Sequence, residues 1–109
     1  MIKTIQLGDI EMVLRFKIGM LKHIKDLTGE DPLKVITEAG SDVFGYASAI
    51  INAGIRCQCD ATGKEYPDKE TIDKQISSQM EFTDVQKLTG FLNEFLNTGE
   101  ANSPVQASE

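Results

Sequence analysis

Cys57 and Cys59 are the only cysteines of the chain and His23 its only histidine, so these three side chains are where chemistry would be sought first. Zinc takes about four ligands, usually from two separated pairs. A second cysteine pair is missing and His23 would be the one nitrogen ligand, so a metal would have to be shared between two chains. Cysteines one residue apart are poorly placed to bridge each other, so no disulfide framework is expected and a reducing compartment fits. The plain reading is two loop cysteines and a partly exposed structural histidine. Asp60, Glu65, Asp68, Glu70 and Asp73 follow in sequence. They lack the ligand order of a calcium loop and read as a solvated loop and helix face. No Gly-x-Ser-x-Gly elbow and no Gly-rich phosphate loop occurs. The expectation is no catalytic residue, no metal and no cofactor: a protein that binds another protein.

Charge narrows the partner. The formal net charge is -6, which argues against nucleic acid, since neutralising phosphates requires clustered Lys and Arg. Residues 1–25 carry five bases against two acids, a net of +3, and residues 26–109 carry six bases against fifteen acids, a net of -9. A molecule polarised in this way could form a homo-oligomer through head-to-tail contacts. No apolar stretch approaches the roughly 18 residues of a membrane span, and the opening residues lack the apolar run of a signal peptide, so a cytoplasmic location is expected.

The elements that must position any site can be read from periodicity. With 109 residues and no Trp, the chain has room for one aliphatic core. Residues 2–7 and 10–16 alternate apolar and polar around Gly8-Asp9 and predict a β-hairpin. Met20, Leu21, Ile24 and Leu27 then fall on a helical stripe that Gly29 closes. Asp31-Pro32 opens a short helix that Gly40 ends. A third helix is expected from Ser41, its cap, to Ile55. It is apolar nearly all round, with Gly45, Ala49 and Ala53 at four-residue steps allowing close backbone approach. Residues 56–67 read as an exposed loop. Asp68 caps a fourth helix to about Ser78, anchored by Ile72 and Ile76. Thr83-Asp84-Val85-Gln86 has the form of a capping box for a fifth helix ending at Gly99. The predicted fold is α+β, an N-terminal β-hairpin followed by a compact bundle of about four to five α-helices. Residues 1–98 form one domain, and 99–109 are expected to be a disordered tail.

The last helix has more apolar surface than one core requires. Val85, Leu88, Leu92 and Leu96 make one row, with Phe91 and Phe95 beside it. A helix packed on a single core needs only a stripe. Leu88, Phe91, Leu92, Phe95 and Leu96 are therefore the candidate partner-binding residues, one wall of a groove for an amphipathic helix. The alternative is that both rows are core.

The order of these elements, with Leu27-Thr28-Gly29 before a short helix and Ala53-Gly54-Ile55 on the central one, resembles the tail assembly chaperones of long-tailed bacteriophages and prophages. The resemblance covers residues 2 to about 97. It implies a partner, the tape measure protein, whose apolar helical stripes the chaperone would cover in the host cytoplasm until the tail tube polymerises. Two other expectations stay open: a structural tail or head-completion component of the particle, and a small regulatory protein-binding module.

Overall fold

The computed structural model describes residues 1–38, 40 and 42–97. Two strands come first, β1 (Ile2–Leu7) and β2 (Ile10–Arg15). Five helices follow: α1 (Ile18–Thr28), α2 (Pro32–Thr37), α3 (Val43–Thr62), α4 (Lys69–Gln79) and α5 (Phe82–Asn97). The fold is α+β, a hairpin followed by a helical bundle, as the periodicity predicts. The expected cap at Ser41, the helix end at Gly99 and the tail 99–109 lie outside the described residues.

The strands pair antiparallel with Ile5 opposite Met12 and Lys3 opposite Leu14. This register puts Ile5, Leu7, Met12 and Leu14 on one buried face, while Thr4, Gln6 and Glu11 stay in water. A two-stranded ribbon cannot hold itself together in water, so its apolar face must be covered. Helix α3 does this. It packs on β2, α1, α4 and α5, and its residues from Tyr46 to Gly54 are buried without a break. The closest approach is at Gly54, where an added Cβ would stand 2.9 Å from the Leu14 Cβ. The small-residue stripe predicted for this helix included Gly45 instead. Gly45 serves the helix start, donating its N–H to the Asp42 carboxylate at 2.8 Å.

Helix α3 corrects the sequence reading at both ends. Its N-cap is Asp42, one residue beyond the expected cap, and the helix continues to Thr62 where an exposed loop from residue 56 was expected. Ile50, Ala53 and Cys57 continue a buried stripe at helical spacing, with Cys57 acting as a small apolar side chain. The polar residues of these last turns are tied to neighbouring elements: the Arg15 Nε donates to the Gln58 Oε1 at 3.0 Å, and Asp60 meets His23. Gly63, at φ 73°, then ends the helix in the left-handed conformation that suits glycine.

Smaller corrections follow the same logic. Helix α2 stops at Thr37 with Glu38 as its C-cap, before Gly40. Helix α5 starts at Phe82, so its reciprocal cap comes from Asp84, which accepts the Glu81 N–H at 2.9 Å, and not from a Thr83/Gln86 box. Gly29 and Asp68 cap α1 and α4 as expected. No helix of the described residues is long and apolar enough to cross a membrane.

Candidate functional site

The residues with the most reactive side chains are used by the fold. Cys57 and Cys59 are buried free thiols on α3, and burial pushes both thiols above the usual cysteine range. The thiolate, which is the nucleophile and metal ligand, is thereby disfavoured. Cys59 directs its Sγ toward the Glu65 carbonyl at 3.5 Å. His23, expected to be partly exposed, is buried with 8% of its surface accessible. Its Nε2 lies 2.7 Å from the Asp60 Oδ2. The Tyr66 hydroxyl donates to the other oxygen of Asp60 at 2.6 Å, its ring stands edge-on to the imidazole, and the Arg56 guanidinium lies 5.0 Å from the Tyr66 ring centre. The Tyr66 and His23 hydrogen bonds hold the Asp60 carboxyl below the usual carboxylate range. Together these groups clasp α1, the end of α3 and the following loop. Among the described residues no group of three or more His, Cys, Asp or Glu is arranged to hold a metal.

A second polar cluster is also internal. Asp73 on α4 accepts from the Ser48 hydroxyl at 2.6 Å, from the Asn52 amide at 3.0 Å and from the Lys69 ammonium at 2.7 Å. Ser48 and Asn52 are buried on α3, so this carboxylate satisfies the polar atoms of an otherwise apolar helix face.

The five residues expected to bind a partner are placed differently from expectation. Leu88, Leu92 and Phe95 are fully buried, and Phe91 and Leu96 are half-buried against the same core. The surplus apolar face of α5 is taken up by Phe16, just beyond β2, whose ring lies 6.1 Å from that of Phe91 and 6.0 Å from that of Phe95. Lys3 covers part of what remains, 5.6 Å from the Phe91 ring centre and 2.9 Å from the Glu94 carboxylate. Both rows of α5 belong to the core.

Exposed apolar surface lies instead where α3 and α5 begin. Phe82 is 67% exposed, Phe44 48% and Val43 40%. They rim a shallow groove floored by Ala47, Ile76, Met80 and Val85, with a cavity of about 280 Å³. A second cavity of about 330 Å³ shares Val43, Phe82 and Val85 and runs on toward Tyr46 and Thr89, whose hydroxyls meet at 3.1 Å. The two adjoin along these three shared residues and are together called the trough. Solvated phenylalanines on adjoining helix starts, above an apolar floor, are what an unfilled interface looks like. Sequence reading took the whole of α3 as apolar nearly all round and buried, and so did not set its start apart from its core. Val43 and Phe44 stand in the first turn of α3, two to three residues before its buried stretch begins at Tyr46.

No protein-family model, no curated protein and no solved structure matches this chain.

Proposed function

We propose that this chain is a protein-binding module of the tail assembly chaperone type, acting in the cytoplasm of a host bacterium. It holds an apolar stripe of the helical tape measure protein until the tail tube forms. The observation that carries this reading is the trough rimmed by Phe44 and Phe82. A chaperone for a helical ruler needs an apolar groove open at both ends, in a molecule whose acidic exterior keeps the complex dispersed. The element order supports the same reading, and so does the use of His23 and both cysteines in packing. The task is binding and not catalysis.

Co-expression with a tape measure fragment tests it. The fragment should stay in the soluble fraction with the wild-type chain and aggregate with the double variant Phe44→Asp/Phe82→Asp, which should remain folded by circular dichroism. A folded double variant that still keeps the fragment soluble would remove the trough as the client site. The chain should also be absent from purified particles. Its presence there in stoichiometric amount would favour a permanent tail component.

A further inference from the structure

The β-ribbon has two edges, and they are not equally guarded. Phe16 donates its N–H to the Met1 carbonyl at 2.7 Å, which makes these two residues a hydrogen-bonded pair. Bonded and non-bonded pairs alternate along an antiparallel ladder, so Lys3–Leu14, Ile5–Met12 and Leu7–Ile10 are the other bonded pairs. The backbone groups of Ile2, Thr4 and Gln6 therefore point away from β2, and those of Glu11, Val13 and Arg15 point away from β1. Among the described residues, the outward backbone groups of Ile2, Thr4 and Gln6 have no hydrogen-bond partner. We propose that two copies of this chain pair antiparallel through β1 about Thr4, joining their hairpins into one four-stranded sheet.

Proteins that stay single guard a free edge with charge, proline or a bulge. The β2 edge is guarded. Glu11 and Arg15 are charged, and Arg15 is tied to Gln58, which brings α3 alongside. The β1 edge is not. Ile2, Thr4 and Gln6 are uncharged and exposed, no proline interrupts them, and the register runs without a bulge from Ile2 to Leu7. Lys3, the one charged residue of the strand, turns to the helical side, where Glu94 already meets its charge at 2.9 Å.

The strand is also complementary to itself. Pairing about Thr4 sets Ile2 against the partner's Gln6, Thr4 against the partner's Thr4 and Lys3 against the partner's Ile5. No like charges face each other, and the outward groups of each strand meet those of the other, donor to acceptor. This match commits the edge to a second copy rather than to a strand of another protein. Pairing through β2 about Val13 would set Glu11 against the partner's Arg15. That guanidinium is already held by Gln58, and Val13 and Arg15 are half-buried. A two-fold contact through β1 closes at two copies, whereas head-to-tail contacts could continue into a filament. A strand pair alone buries less than the about 1,000 Å² of a stable interface, so the dimer depends on concentration.

Sedimentation velocity of the full chain from about 1 µM to about 1 mM should show a reversible passage from monomer to dimer. Over that range the amides of Ile2, Thr4 and Gln6 should gain protection from hydrogen exchange, and those of Glu11, Val13 and Arg15 should not. Thr4→Lys sets two ammonium groups opposite each other, and Thr4→Pro removes an outward N–H without touching the β1–β2 ladder. Each should weaken dimerisation at least about tenfold, with the monomer folded by circular dichroism. Val13→Lys and Phe44→Asp/Phe82→Asp should leave the dimer unchanged. On mild oxidation Thr4→Cys should form an intersubunit disulfide. Gln6→Cys should not, because its two copies would stand roughly 14 Å apart. A chain that is monomeric throughout, or a dimer indifferent to both Thr4→Lys and Thr4→Pro, would overturn the proposal. Loss of the dimer in Val13→Lys would assign it to β2, and loss in Phe44→Asp/Phe82→Asp to the trough, and either result would equally remove β1 as the interface.

Discussion

Burial and hydrogen bonding pull Asp73 in opposite directions. Burial alone would raise its pKa, but the hydrogen bonds from Lys69, Ser48 and Asn52 outweigh it and hold the carboxyl below the usual range. A carboxyl whose folded pKa is depressed contributes stability above its unfolded pKa, near 3.8, and loses it as pH falls through the lower folded value. Asp73→Ala should therefore cost about 2–3 kcal/mol at neutral pH, since it also removes the acceptor of the buried Ser48 hydroxyl and one of the two carrying the Asn52 amide. In urea titrations the gap to wild type should shrink below about pH 4. A gap unchanged down to pH 2 would mean that the charge contributes nothing. At this scale the sequence was least legible. Asp73 reads as one of a run of solvated acids, because its partners lie 25 and 21 residues away on another helix. The pairing of His23 with Asp60 was hidden for the same reason.

Elements were more legible, because their signals are local. Strand alternation, the Gly29 cap and the Asp68 cap depend on neighbours in sequence. The misreading of α3 was a competition between two local signals: polar residues suggested a loop from Arg56, while the stripe Ile50–Ala53–Cys57 and the stop at Gly63 indicated helix. Packing decided it, since β2 and α1 supply partners for Gln58 and Asp60. The same packing makes Gly54 a tight joint between α3 and β2. Gly54→Ala would normally favour a helix by about 1 kcal/mol. Here the new methyl would meet the Leu14 side chain at 2.9 Å and its backbone Cα at 3.4 Å, and Leu14 is itself fully buried. The clash should win, with a net loss of about 1–3 kcal/mol of unfolding free energy, read as a lower urea midpoint. Gly90, on α5 with open space around it, is the control, and Gly90→Ala should stabilise.

Over the whole molecule, two groups of phenylalanines take opposite places. Phe91 and Phe95 pack with Phe16 in the core, and Phe44 and Phe82 face water. Phe95→Ala should cost about 3–5 kcal/mol of unfolding free energy, while Phe82→Ala should stay within about 0.5 kcal/mol of wild type. Comparable losses at both sites would mean that Phe82 is part of the core and that the trough is closed. The sequence by itself determined the α+β order, the helix caps at Gly29, Asp31 and Asp68, and an acidic chain rich in aliphatic residues, because periodicity and capping act over a few residues. Only the tertiary structure decided which apolar face was surplus. A helix pattern shows how wide its apolar stripe is, but not how much of that width its neighbours will cover. Phe16 and Lys3, more than seventy residues upstream, close the face of α5, and no element among the described residues closes the one beside Phe44 and Phe82.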